Sequence, residues 1–209
     1  TRSLCDWSSD VCSSDLVKRY QPNLKKFVTF STDEVFGPAP FGVDYKEGDV
    51  CNPSNPYSAS KEGEEAISKS FAFSFGLPII NTRTMNVIGE RQHPEKFVPK
   101  VIKAVLENKP ITIHGVPGNI SSRKWIHARN VCDALLFLMD KGEIIEKKNQ
   151  NDASHGIYHI VGEEKTALDL ANEIAKIIRG KELDNSEIEF IDFHKTRPGH
   201  DLRYSLDGS

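Results

Sequence analysis

The order in which a few segments follow one another constrains this chain more than any other feature of its sequence. Residues 25–31 are a short apolar run, rich in β-branched and aromatic side chains, that ends in the polar corner Ser31-Thr32-Asp33-Glu34. Such a run reads as a buried parallel strand. A loop rich in Gly and Pro follows over 37–56, and Asn55 and Pro56 are placed to serve as N-cap and first residue of a helix. Gly76-Leu77-Pro78 stops that helix near Phe75, and residues 78–83 form the next apolar run. Strand, long loop, helix and strand in this order make a parallel crossover unit, so the chain is expected to be α/β with a parallel sheet.

After Asn86 the texture changes. A helix is expected over 94–108, strands over 111–114 and 125–127, and a one-sided apolar helix over 128–140. A polar insertion at 147–155 precedes a strand over 157–161, an amphipathic helix over 167–179 ended by Gly180, and a strand over 188–193. Short mixed elements after a parallel unit point to a smaller, sequence-late α/β domain. The expected architecture is therefore part of a doubly wound, Rossmann-type parallel sheet over 17–90, with a small C-terminal α/β substrate-binding domain over 91–209. No Gly-x-Gly-x-x-Gly turn links a strand to a helix, although such a turn is the usual pyrophosphate site of this architecture. The chain accordingly reads as a fragment.

Residues 1–16 lack apolar periodicity and read as a translated sequencing adapter, so they are expected to lie outside the fold. Cys5 and Cys12 fall in that stretch; Cys51 and Cys132 remain, without metal-ligand spacing or disulfide density, which fits a reducing cytoplasm. The formal charge is −3 over the whole chain, with both signs interspersed. That distribution offers no electrostatic case for nucleic acid or an anionic membrane surface. No apolar run reaches membrane-spanning length. The histidines are scattered, so no metal site is expected.

The chemistry concentrates at the corner Ser31-Thr32-Asp33-Glu34 and at Tyr57-x-x-x-Lys61. The i, i+4 spacing puts Tyr57 and Lys61 on one helical face, where an ammonium lowers the pKa of a phenol and prepares it to act as a base. Alone, the spacing carries little. Its position does more, because ligands of open parallel sheets bind at strand C-termini, where Thr32, Asp33 and Glu34 stand. Thr32 with Tyr57 and Lys61 resembles the catalytic triad of extended short-chain dehydrogenases. Thr32-Asp33-Glu34 and Asn55-Pro56-Tyr57-Ser58-Ala59-Ser60-Lys61 are similar to signatures of the dTDP-glucose 4,6-dehydratase family within that superfamily. Asn86-Val87-Ile88-Gly89, Pro94-Glu95-Lys96-Phe97-Val98-Pro99, Arg123-x-Trp125 and Arg197-Pro198-Gly199-His200-Asp201-x-Arg203-Tyr204 continue the resemblance. It departs at Val87 and Ile88 (family Asn and Tyr), at Lys124 (family Asp) and at His159 (family Asn); these positions are expected around the substrate.

The resemblance implies a nucleotide-sugar 4,6-dehydratase with NAD as cofactor, a nucleotide-diphosphate sugar as ligand, and a homodimer. Tyr57 would be the base at the sugar's carbon-4 hydroxyl, Thr32 would orient that hydroxyl, and Lys61 would tune Tyr57. Glu34 would take the carbon-5 proton and Asp33 would protonate the departing carbon-6 hydroxyl, so their pKa values must be pushed apart. Ser31, Tyr57 and Lys61 would contact the cofactor. Asn86, Glu95, Lys96, Arg123, Arg197 and His200 would bind the substrate, Arg123 as a diphosphate clamp. The outer side of the helix, with Ala66, Ile67, Phe71 and Phe75, would form the dimer interface. Two other readings remain open: another nucleotide-sugar epimerase or decarboxylase of the superfamily, or a non-catalytic protein that kept the fold.

Overall fold

A computed structural model describes residues 9–191 and 202–209, with side chains from Ser13 onward. Helix α1 (Ser9–Tyr20) leads into strand β1 (Phe27–Thr32), a single 3-10 turn (Asp33–Phe36) and the long helix α2 (Pro56–Phe75). Strands β2 (Ile79–Thr84) and β3 (Asn86–Ile88), helix α3 (Phe97–Leu106), and strands β4 (Ile111–Val116), β5 (Asn119–Ile120) and β6 (Ser122–His127) come next. Helix α4 (Ala128–Lys141), strands β7 (Ile157–Ile160) and β8 (Glu163–Thr166), helix α5 (Ala167–Arg179) and strand β9 (Ile188–Ile191) complete the described order.

The crossover unit forms as its local signals dictate. Asn55 caps α2 from an extended backbone, Pro56 occupies the first turn, and Gly76 ends the helix at φ 68°. A residue with a Cβ resists that left-handed geometry. β1 and β2 pair in parallel from Phe27↔Ile79 to Thr32↔Thr84, and Ile79 and Ile80 are fully buried between the layers. Each such side chain contributes about 1.5–3 kcal/mol through removal from water.

β7 then returns to the same sheet, giving the parallel order β1-β2-β7. The second region, expected over 91–209, is therefore not one continuous segment. It consists of β3-β6-β8 and β5-β4-β9, with α3 and α5 packed over a core of Val101, Val105, Ile111, Ile113, Leu170 and Ile174. β3 and β8 escaped the sequence reading because Asn86–Ile88 and Glu163–Thr166 are short, and the second is polar and lies on an edge. Only pairing with β6 makes them strands.

The N-terminal expectation needs correction. Residues 9–16 take part in α1; Ser14 is fully buried, and Val17 joins the cluster of Ala72, Leu77 and Ile79 beside Phe71. Lys18 Nζ lies 3.3 Å from the centre of the Phe75 ring. The outer face of α2 is thus partly covered by α1, while Ala66 and Phe75 stay exposed. Among the described residues no helix is long and apolar enough to cross a membrane, and no group of three or more His, Cys, Asp or Glu side chains is arranged to hold a metal ion.

Candidate active site

At the C-terminal end of β1 the chain turns sharply. Thr32 Oγ1 accepts from the Glu34 N–H at 3.3 Å and donates to Asp33 Oδ1 at 3.0 Å. Gly37 closes the turn at φ 71°, where a Cβ would lie 2.3 Å from the Asn52 carbonyl oxygen. No other residue fits there.

The turn is anchored from below. The Phe36 ring stacks on Tyr45 at 4.9 Å, meets His159 edge-on at 5.7 Å, and receives the Arg83 guanidinium at 4.6 Å. Arg83 in turn makes a bidentate pair with Glu65 of α2, at 2.9 and 2.7 Å. The helix that carries Tyr57 and the turn that carries the two carboxylates therefore rest on one buried ion pair.

A cleft of about 900 Å³ opens above. Thr32, Asp33, Glu34 and Tyr57 line one end, and Asn86, Glu95 and Lys96 line it further along. Those expected site residues are brought together. Ser31 is buried directly behind the turn, and its hydroxyl has no hydrogen-bond partner among the described residues. Arg197 and His200 lie outside the described residues. Lys61 and Arg123 are not among the cleft-lining residues. Arg123 Nη1 donates to the Ser122 and Leu202 carbonyls, both at 2.7 Å, and its guanidinium lies 4.6 Å above the Tyr204 ring.

The two carboxylates differ in their surroundings. Asp33 is buried, its Oδ2 lacks a partner among the described residues, and its pKa is pushed up to about 6. Burial is the main cause and the Glu34 charge adds to it, while the Thr32 hydroxyl and Arg123 act in the opposite direction. Glu34 Oε2 instead accepts from Asn55 Nδ2 at 3.0 Å. The expectation for Tyr57 is overturned in this state. Its pKa is raised, by burial first and then by the Glu34 and Asp33 charges; the Lys61 ammonium pairs with Glu64 one turn along the helix. The Thr32 hydroxyl acts on the phenol in the opposite direction.

The departures from the family pattern sort themselves by position. Val87 lines the cleft. Lys124 does not; it is buried against Asp44 at 2.7 Å and the Leu206 carbonyl at 2.6 Å. His159 is fully buried, 3.5 Å from Arg83 Nη1 and 3.1 Å from the Asp207 carbonyl, and burial lowers its pKa. Neither lines the cleft, because each faces the packed side of its strand. Sequence reasoning missed Lys100, Thr112 and His114 in the cleft. The i, i+4 spacing of Lys96 and Lys100 was a legible signal for the first.

The profile of the NAD dependent epimerase/dehydratase family matches residues 7–152, beginning inside the N-terminal stretch. A trifunctional UDP-glucose 4,6-dehydratase/UDP-4-keto-6-deoxy-D-glucose 3,5-epimerase/UDP-4-keto-L-rhamnose-reductase of Arabidopsis thaliana is 36% identical over 188 residues, covering 88% of this chain and 26% of the relative. The dTDP-D-glucose 4,6-dehydratase of Mus musculus is 31% identical, covering 90% of this chain and 49% of the relative. The crystal structure of a dTDP-glucose 4,6-dehydratase from Bacillus anthracis in complex with NAD superposes with a TM-score of 0.79 at 31% identity, over 95% of this chain and 57% of that one. The chain spans about half the length of the mouse and bacterial proteins and about a quarter of the plant one.

Proposed function

This chain belongs to the NAD dependent epimerase/dehydratase family, and on that premise we propose that it carries the catalytic residues of a nucleotide-sugar 4,6-dehydratase acting on a substrate of the dTDP-glucose type. The observation that carries the reading is the divided pair of carboxylates: Asp33 buried with a pKa of about 6, Glu34 beside it at the cleft and hydrogen-bonded to Asn55. A carboxyl group whose proton is held up to about pH 6, beside a second carboxylate at the cleft, suits the loss of water across two adjacent carbons. A plain epimerase or decarboxylase has no use for it.

The residues present fit a dinucleotide at the sheet edge. Ser31 Oγ and Thr84 Oγ1, near the C-terminal ends of paired strands, are buried without hydrogen-bond partners among the described residues. Buried hydroxyls are rarely left so, and ligands of open parallel sheets sit at this edge. Ser31, Tyr57 and Lys61 would hold NAD there, which when bound supplies the acceptor, and later the donor, of a hydride.

Thr32 orients the carbon-4 hydroxyl and Tyr57 takes its proton. For that the Tyr57 pKa must fall, which Lys61 achieves by leaving Glu64 for the phenol. Glu34 then removes the proton from carbon 5, acidified by the new ketone at carbon 4. Asp33 gives its proton to the carbon-6 hydroxyl, which departs as water. Asn86, Glu95 and Lys96 bind along the cleft, with Arg123 assigned to the diphosphate, and Arg197 and His200 to the substrate, by resemblance. A second copy of the chain would pack on the exposed part of α2, around Ala66 and Phe75.

The mass of the product tests the reading. The protein at the full length of its relatives, given dTDP-glucose or UDP-glucose with NAD, should release a sugar nucleotide lighter by one water. A product of unchanged mass would make it an epimerase.

A further inference from the structure

Asn55 joins the two parts of the catalytic turn, and we propose that it is the positioning residue for Glu34. Its Oδ1 accepts from the Ser58 N–H at 2.9 Å, while its own N–H donates to Ser58 Oγ at 3.2 Å, so it closes a capping box at the head of α2. Its Nδ2 donates to Glu34 Oε2 at 3.0 Å, across 21 positions of sequence.

The orientation of the amide is not arbitrary. A backbone N–H can only donate, so the amide oxygen must face Ser58 and the NH2 group must face Glu34. Ser and Asp cap a helix about as well as Asn. Neither can accept from the helix through one atom and also present an NH2 group to a carboxylate. The choice of Asn therefore exceeds what capping requires.

The contact also has a geometric consequence. Glu34 is tied at its backbone to Thr32 Oγ1 and at its carboxylate to the cap of the helix whose first turn carries Tyr57. One amide thus sets the Glu34 carboxylate relative to Tyr57. Asn55 does not line the cleft, whereas Glu34 and Tyr57 do, so it acts through Glu34 rather than on a ligand. The inference rests on the reading of Glu34 as the base at carbon 5.

The test uses Asn55→Asp and Asn55→Ser in the protein at the full length of its relatives, with nucleotide sugar and NAD in deuterated water. Both variants keep the cap, so melting temperature should stay near wild type and the first oxidation should persist. Solvent deuterium should enter carbon 5 more slowly, on the order of tenfold at neutral pH, because the base is no longer held in place. In Asn55→Asp a second carboxylate faces Glu34, and the pH at which exchange reaches half its maximum should rise by about one unit or more. A role limited to helix capping would leave both readouts unchanged. Wild-type exchange with an unmoved Asn55→Asp profile overturns the positioning role alone. Absence of exchange in the wild-type protein overturns the assignment of Glu34 as base, and this inference with it.

Discussion

Arg83 and Arg203 are both buried arginines paired with carboxylates, yet they do different work. Arg83 and its partner Glu65 are 3% and 8% exposed and belong to the crossover unit, beneath the turn that holds Asp33 and Glu34. Arg203 lies near the other end of the chain. It reaches Glu164 at 2.7 and 2.8 Å, Asp44 at 2.7 Å and the carbonyls of Pro40 and Val43, and its carboxylate partners are 32% and 38% exposed. The first cluster holds together one local unit, the one proposed to do the chemistry. The second fastens a late segment, next to Arg123, onto a loop and an edge strand assembled from distant sequence. The proposed catalytic unit and this late segment should therefore fail separately.

The largest effect should come at the catalytic end. Tyr57→Phe should slow sugar oxidation on the order of a hundredfold to ten-thousandfold while nucleotide-sugar binding persists. Single-turnover NADH absorbance together with a binding titration reads both, and near-normal product formation would remove Tyr57 from its role.

Stability should divide the two arginines. Arg83→Met strands Glu65 in the interior and should cost about 3–5 kcal/mol in denaturant unfolding. Arg203→Met leaves carboxylates that water can reach, so a smaller loss of about 1–3 kcal/mol is expected, with a higher KM for the nucleotide sugar as its main kinetic trace. Equal losses would dissolve the distinction between the clusters.

Within the catalytic end, Glu34→Gln and Asp33→Asn should part company. Glu34→Gln should allow the first oxidation and then stall without deuterium entering carbon 5. Asp33→Asn should keep that exchange and slow loss of the carbon-6 hydroxyl on the order of a hundredfold. Identical exchange patterns would mean that the two acids do not have separate roles.

A smaller effect concerns stability against pH. The Asp33 pKa is raised from 3.8 to about 6, so the folded state holds this proton more tightly than the unfolded chain does. The stability that this contributes is complete below about pH 4 and disappears as pH rises through about 6. Asp33→Asn should therefore raise the unfolding free energy at pH 8 by roughly 3 kcal/mol and change it little at pH 3. An equal effect at both pH values would show that Asp33 is not protonated by burial.

The legible and illegible parts of this protein differ by the range of the forces behind them. Helix α2 begins at Pro56 and ends at Phe75, and α5 ends at Arg179 before Gly180, as capping and glycine chemistry within a few residues require. Tyr57 at the first turn of α2, and Thr32, Asp33 and Glu34 at the end of β1, likewise follow from local order along the chain. The return of β7 to the first sheet, the burial of Lys124 and His159 away from the cleft, and the tie between Asn55 and Glu34 were decided only by tertiary structure. So was the raised pKa of Asp33. Desolvation and long-range hydrogen bonding depend on which side chains arrive from elsewhere in the sequence, and the residues next to Asp33 in the chain do not specify what will exclude water from it.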